Sequence, residues 1–404
     1  VDDLADLARH SEIQGLRLLG HSDLSGRGDG MQILVQEREG TKYAFVSHMG
    51  DFRVAFSVLD VTDPRRPAVV AQVPTPTPET HAHKLQVWGE VLLSNNEAYG
   101  AGARAFAAGV RLFDVANPKA PREIGFFETG GTGVHRMWFH DGRYAHLSAG
   151  APGYRTPIYR VLDLADPARP REAMRWWLPE QEGEGPPEPI DRRVWCHYPI
   201  GIGTRAYVSY WQAGVFLLDI TGFSPRVLGR FNPTPPYGGA AHTFLPLARR
   251  QLAIVTQEAL ADRLQEGQKA VWVLDLRAET NPVPIATFPV PRAVDPRRGG
   301  RFGPHNVHEN PPGSYQSEEV VFLTYFNAGL RVVDVSDPYA PAEIGWFVPP
   351  PPPGSPKGAP QINDVYVDRD GLVYCTDRYT GGLYILELTA APLRRSDPRD
   401  LWAR

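Results

Sequence analysis

The sequence predicts an all-β protein, a seven-bladed β-propeller of four-stranded antiparallel blades whose ring is closed by an N-terminal strand completing the last blade. Three observations carry this reading: a short pattern recurs along the chain, each copy ends in the same kind of turn, and short alternating runs precede every copy.

The pattern is clearest in VLDVTDPRRP (58–67), LFDVANPKAP (112–121), VLDLADPARP (161–170) and VVDVSDPYAP (332–341), each a hydrophobic strand, an Asp and a Pro-terminated turn. LLDITGFSP (217–225) and VLDLRAETNPVP (273–284) are looser copies, and YILELTAAP (384–392) is a seventh. Asp and Asn cap turns of this kind with their side chains, while Pro presets φ and stops the strand. A short strand follows each turn, as in REIGFF (122–127), RVLGRF (226–231) and AEIGWF (342–347). Two alternating runs precede it, as in KLQVW and VLLSN (84–88 and 91–95) or RMWFH and YAHLS (136–140 and 144–148). Four strands per repeat, at a spacing of roughly 40 to 50 residues, suit a propeller array.

The blades are expected at about 31–73, 83–128, 135–177, 197–232, 242–290, 305–348 and 363–388. The last copy lacks a fourth strand, since the tail TAAPLRRSDPRDLWAR offers none. Near the start, GLRLLGHS (15–22) resembles an outer strand, so residues 13–20 are expected to join the 363–388 blade and hide the open edges. Residues 1–404 then form one closed domain. The copies resemble the bacterial LVIVD-repeat family, named for the strand that stands here as LRVVDVSDP and VRLFDVANP. This resemblance spans nearly the whole chain; it implies the propeller and leaves the chemistry open. A fainter likeness, in blade pattern and mouth histidines, is to selenium-binding proteins of the methanethiol oxidase type.

Composition narrows the partners. With 42% hydrophobic and 22% charged residues the chain can bury a large core. A net charge of -4, from 42 Lys+Arg against 46 Asp+Glu, gives no electrostatic reason to expect nucleic acid or an anionic membrane as partner; the expected partner is a small-molecule substrate, for reasons given by the histidines below. No apolar run approaches the ~20 residues needed to span a bilayer. The opening VDDLADLARHSEIQG is acidic, unlike a secretory signal, which favours the cytoplasm, although a signal already removed would leave no trace. Cys196 and Cys375 are too few for a disulfide framework or a thiolate zinc cluster and suit a reducing compartment, with one bridge left open.

Aligned inner-strand starts read AHKLQV, VHRMWF, CHYPIG, AHTFLP and PHNVHE, and they put His83, His135, His197, His242 and His305 at one inward position. Met31 and Asn363 occupy it in the other two repeats. Any one of these histidines alone would be read as a hydrogen-bonded rim residue, and duplication can copy a structural histidine. Five of the chain's 12 histidines in one register instead predict a ring around the channel. Neutral imidazoles at that density suit one transition-metal ion, Fe or Cu first, with Zn, Mn or Ni as alternatives. Alternation places Leu85, Met137 and Phe244 beneath the ring as an apolar plug. His81 falls outside the register on the entering loop, and His308 is expected to face away from His305.

The ends of the second strands should share the ring's face: His48, Asn96, Glu97, Tyr210, Gln212, Gln257, Glu258, Asn327, Asp377 and Arg378. Taken singly, each also reads as a solvated loop residue. His48, Glu97, Glu258 and Asp377 are the candidate catalytic groups. Glu97 and Glu258 are expected to accept from the second nitrogen of ligand histidines, fixing their tautomers. His48 is read as an extra ligand or an acid/base. Long proline-rich connections at 74–82, 178–194, 290–304 and 348–361 are expected to wall the site. Arg292, Arg297, Arg298 and Arg301 are read either as a solvated face or as a meeting point for an anionic substrate. ALADRLQEGQKA (259–270) predicts a short helix. There is no GxSxG elbow and no HExxH, and GRGDG (26–30) lacks the context of a phosphate loop.

Taken together, these residues predict a metal-dependent enzyme with a histidine-ring site at the channel mouth, an oxidoreductase or oxygenase acting on a small organic substrate, aromatic ones included. The donor set resembles that of carotenoid-cleaving propeller oxygenases, where four histidines backed by carboxylates hold ferrous iron. One alternative keeps the metal as a Lewis acid for a lyase or hydrolase reaction. Another is a non-catalytic propeller that binds a protein partner.

Overall fold

The computed structural model describes residues 4–49, 53–98, 106–189, 192–292 and 294–390. Their local structure follows from the repeated turn. The first Asp of each copy accepts the backbone N–H two residues on, at Asp60, Asp114, Asp163, Asp219, Asp275 and Asp334, over 2.8–3.0 Å. Where the copy carries a second Asp or Asn before Pro, the same bond recurs at Asp63, Asn117, Asp166 and Asp337, over 3.0–3.1 Å. Each strand is therefore ended by its own side chains, and the chain returns antiparallel.

The result is an all-β protein of four-stranded antiparallel sheets. One sheet contains Gly30–Arg38, Thr41–His48, Val54–Asp60 and Ala68–Pro74. The next contains Leu85–Trp88, Val91–Ala98, Gly109–Asp114 and Arg122–Glu128, with Thr80–His81 paired to the end of its second strand. Val134–Trp138, Tyr144–Ala149, Ile158–Asp163 and Arg171–Trp176 follow. Two further sets, Val194–Ile202 to Arg226–Phe231 and Ala240–Leu247 to Val283–Thr287, are joined by the single pair Trp211–Ala241.

Two sheets take strands from the N-terminus. Leu16–Ser22 pairs with Leu383–Leu388 at the outer edge of the sheet that includes Ile362–Val367 and Leu372–Asp377. Glu12–Gln14, part of the segment expected on that edge, pairs instead with Ala342–Val348, beside Leu330–Asp334 and Val320–Thr324. The turn at Gly15, with φ of 65°, separates the two. A short helix, Leu4–His10, precedes them. The helix expected over 259–270 is absent: turns occupy the segment, Arg263 and Leu264 have left-handed φ of 55° and 59°, and the Glu266 carboxylate accepts the N–H groups of Leu260 and Ala261. A side chain that captures local backbone donors competes with the helix that would have used them. The tail at 391–404 lies outside the described residues, none of which belongs to a helix long and apolar enough to cross a membrane.

The core lies between sheets. Phe45 and Phe56 share a cluster with Leu92 and Phe113 of the next sheet, and with Tyr374, Leu383 and Ile385 near the C-terminus. Backbone polar groups at the inner edge are met by a recurring bond from the second strand of one sheet to the inner strand of the next. Ser47 donates to the His83 carbonyl at 2.6 Å, Ser209 to His242 at 2.7 Å, and Thr256 to His305 at 3.0 Å. Thr324 donates to Asn363 at 3.0 Å, and Thr376 to Met31 at 3.2 Å. Asn95 performs this task at Val134, 2.7 Å, and Ser148 at Cys196. Both cysteines are buried and free.

Candidate metal centre

His135, His197 and His242 lie in the opening residues of their strands, His83 two residues before Leu85–Trp88, and His305 in a non-strand segment bonded to Val320–Thr324, so the first strand expected at 305 is not formed; each sits at or beside one of these acceptor carbonyls. Register there is broken by one extra residue at His135, His242 and Asn363, by one at Met31 and Gln32, and by two across Trp195–His197. Such bulges re-aim side chains, and here they let two consecutive residues face the same way. Gly133, just before His135, has φ of 84°, and a Cβ there would lie 2.1 Å from the Asn96 carbonyl oxygen. Only glycine allows that entry.

The five register histidines come together. Ring centroids are 5.0 Å apart for His83 and His135, 4.8 Å for His135 and His197, 4.2 Å for His197 and His242, and 4.4 Å for His242 and His305. The Nε2 atoms of His135 and His197 are 3.1 Å apart. Their Nδ1 atoms point away to fixed partners: the Glu97 carboxylate for His135 at 3.0 Å, the His242 carbonyl for His197 at 2.9 Å, and the Asn363 carbonyl for His305 at 2.7 Å. A carbonyl accepts only from an N–H, so Nδ1 of His197 and His305 carries the proton and, in the neutral ring, Nε2 is left with its lone pair. Burial pushes His83, His197, His242 and His305 well below the usual histidine range, and neighbouring cationic groups add to it.

Glu97 sits as expected on the Nδ1 side of His135. Burial alone would raise its carboxyl, but His135, and then His81, hold it down at about 2. Glu258 behaves otherwise. Its oxygens lie on the Nε2 side, 3.9 Å from His242 and 3.7 Å from His305, while Arg301 donates to it at 2.7 Å. It is therefore placed among the potential ligand atoms, not behind them. Among the described residues, His197, His242 and Glu258 bring one ligand atom each within 4.8 Å of one another, as do His81, His83 and Glu97.

His81 is thus part of the site, although the sequence reading set it aside. Its ring stacks on His83 at 4.0 Å, and its Nδ1 is 3.7 Å from Glu97. The spacing of two on an extended segment, which shares one face, was the available signal.

The floor is not the expected apolar plug. Leu85, Met137 and Phe244 belong to three separate inter-sheet cores. Where a bulge occurs the alternation shifts by one, and the residue directly after each register position is buried: Gln32, Lys84, Arg136, Tyr198, Thr243, Asn306 and Asp364. Arg136 donates to Asn306 at 2.5 Å and to Glu309 at 2.7 Å, covers the Tyr198 ring at 3.8 Å, and brings Nη1 to 3.5 Å from His242 Nε2. Burial lowers Lys84 and raises Asp364, each offsetting part of the other's shift.

Two candidate catalytic groups have other tasks. His48 is fully buried with both nitrogens engaged, by Asp29 at 2.7 Å and Ser57 at 2.8 Å. Asp377 caps a turn, accepting the N–H groups of Gln361, Tyr379, Thr380 and Gly381 at 2.6–3.2 Å. His308 is held at both nitrogens by Tyr315 and Val367, at 2.7 and 3.2 Å. Trp195 and Trp211 stack at 5.2 Å and wall the site beside His135 and His197. A cavity of 790 Å³ opens elsewhere, lined by Arg38, Lys42, Trp88, Asp368 and Arg369, and it includes none of the ring histidines.

The Val320–Thr324, Leu330–Asp334 and Ala342–Val348 strands supply the comparison with known families. Residues 317–348 match the LVIVD repeat. No curated protein matches the chain, so the fainter selenium-binding likeness rests on sequence pattern alone. The LVIVD repeat begins after His305 and Asn306, which are bonded to its first strand through Thr324 at 2.9 and 2.8 Å. It therefore carries scaffold and one wall residue, Phe326, whose ring lies 4.6 Å from that of His305.

Proposed function

We propose that the sheets are blades of one seven-bladed β-propeller and that its channel mouth binds a single transition-metal ion, used for redox or oxygen chemistry on a small organic substrate. The recurring hydroxyl-to-carbonyl bonds support the ring, because the last of them, from Thr376 to Met31, repeats the others across the chain's two ends. The core shared by Phe45, Phe56 and Tyr374 and the match to the LVIVD repeat point the same way.

One observation carries the metal: His135 and His197 present Nε2 to Nε2 at 3.1 Å while both Nδ1 atoms are committed elsewhere. Two lone pairs at that separation repel unless a proton or a cation lies between them. Burial opposes protonation of His197. Two nitrogens each about 2.1 Å from one ion, at cis or tetrahedral angles, stand roughly 3.0–3.4 Å apart. His83, His242, His305 and Glu258 supply further donors. Imidazoles with one carboxylate and open positions suit iron, and copper is the next choice for nitrogen donors, with zinc or manganese as alternatives. An ion held there would supply electron exchange or Lewis acidity to a bound substrate. Glu97 keeps the proton on Nδ1 of His135, and the indoles of Trp195 and Trp211 exclude water from one side.

Elemental analysis of protein purified without added metal tests this, with an electronic spectrum to identify a redox ion. About one ion per chain is expected, lost or strongly reduced in His135→Ala and His197→Ala. Metal-free wild type, or equal content in the variants, refutes the assignment.

A further inference from the structure

The buried arginines among the described residues face a carboxylate. Arg136 has Glu309 at 2.7 Å, Arg160 has Glu172, Arg111 has Glu123 at 2.7 Å, and Arg331 has Glu343 at 3.4 Å. Arg378 is different. Its Nε and Nη1 are buried without a hydrogen-bond partner among the described residues. The two nearby carboxylates are taken: Glu258 by Arg301 at 2.7 Å, and Asp377 by four backbone N–H groups. Arg378 is half-buried, and a permanently charged guanidinium with two of its nitrogens buried and unmet is costly unless something else supplies the acceptor.

Its position says where that acceptor would sit. The Arg378 backbone N–H donates to the Gln361 carbonyl at 3.1 Å, which holds the residue beside the start of Ile362–Val367. Its guanidinium lies 5.7 Å from the centroid of Phe326 and 5.9 Å from that of Tyr379. The Phe326 ring is also 4.6 Å from His305 and 5.4 Å from the Arg301 guanidinium. One aromatic side chain is thus shared by the last histidine of the ring and by the unmet cation.

We propose that Arg378 is the anchor for a carboxylate on the substrate, whose organic part then lies over the histidine ring; this rests on the metal site proposed above. The two oxygens of a carboxylate match the two unmet nitrogens of Arg378, whereas a doubly charged phosphate would draw also on Arg301, whose Nη1 is committed to Glu258. Phe326 and Tyr379 favour a planar, unsaturated acid over an aliphatic one. The sequence held a partial signal: Arg378 follows Asp377 at the end of a second strand, the position from which Glu97 and Glu258 reach the site in their own sheets.

Calorimetric titration of the full chain with benzoate, alongside acetate and inorganic phosphate, tests the anchor, with metal content measured on the same samples. Wild type is expected to bind benzoate saturably and more tightly than either other anion. Arg378→Gln should weaken benzoate by about tenfold or more with metal content unchanged, and Arg378→Lys should fall between. Absence of saturable benzoate binding by wild type overturns the proposal, as does equal affinity in Arg378→Gln. Phosphate binding more tightly than benzoate overturns the carboxylate assignment. Should Arg378→Gln fail to fold, Arg378→Lys and the benzoate-induced rise in the wild-type thermal midpoint decide, and no rise overturns it. Metal-free wild type that still binds benzoate through Arg378 keeps the anchor and sinks the metal reading. Metal-loaded protein indifferent to the substitution does the reverse.

Discussion

The Thr376 hydroxyl donates to the Met31 carbonyl at 3.2 Å, joining strands 345 positions apart by the same bond that joins consecutive sheets elsewhere. If the sheets close into a ring, this contact should matter as much as an internal one, such as Ser209 to the His242 carbonyl at 2.7 Å. Thr376→Val and Ser209→Ala are each expected to lower unfolding free energy by about 1 kcal/mol in urea titrations. A neutral Thr376→Val beside a costly Ser209→Ala would show that the ends separate in solution.

Glu97 holds Nδ1 of His135 at 3.0 Å and leaves Nε2 facing His197. Glu97→Gln keeps an acceptor oxygen but removes the charge that raises the imidazole's basicity. Metal affinity measured by chelator competition should fall about 10- to 100-fold, with the circular dichroism spectrum intact. Unchanged affinity would deny Glu97 its positioning role.

Acid should unfold the protein through its neutral histidines. Burial pushes His146 and His308 down to about 4, against small opposing contributions from Asp141 and Tyr315. Unfolded histidine titrates near ~6.5, so below that pH the unfolded chain takes up protons that the folded chain refuses. Stability is intact above about 6.5 and falls as pH drops toward 4, by about 1.4 kcal/mol per pH unit for each group. Urea midpoints between pH 7.5 and 5 should trace that decline, with a shallower slope in His146→Gln.

Phe56 meets Phe113 of the neighbouring sheet edge to face, with centroids 5.3 Å apart. Because the core lies between sheets, Phe56→Ala should cost about 3–5 kcal/mol, as core truncations of aromatic residues do. A loss under about 1 kcal/mol would mean that the sheets carry their own stability.

Much of this architecture could be read from residue order, for a local reason. The Asp and Asn residues of each turn act on N–H groups two positions away, so pattern and structure lie within one short segment. The histidine register was legible because it rides on that repeat. What escaped reading was set by the bulges. One added residue at His135 or His242 shifts which way the later side chains face, so that Met137 and Phe244 join separate cores while Arg136 lies against His242. A polar residue after every register position, from Gln32 to Asp364, was the trace of this in the sequence. The orientation of Glu258 had no local signal, because Arg301, 43 positions away, fixes it.

The histidines form an arc, not a full circle: contacts run from His83 to His305, and the remaining register positions are Asn363 and Met31. An arc has an opening, and here Arg378 stands near it while Trp195 and Trp211 stand beside His135 and His197. Under the proposed function, the two sides of a flat substrate held over this arc would meet different surroundings. A prochiral substrate would therefore be presented by one face, making the stereochemistry of any product a direct readout of where the histidines stop.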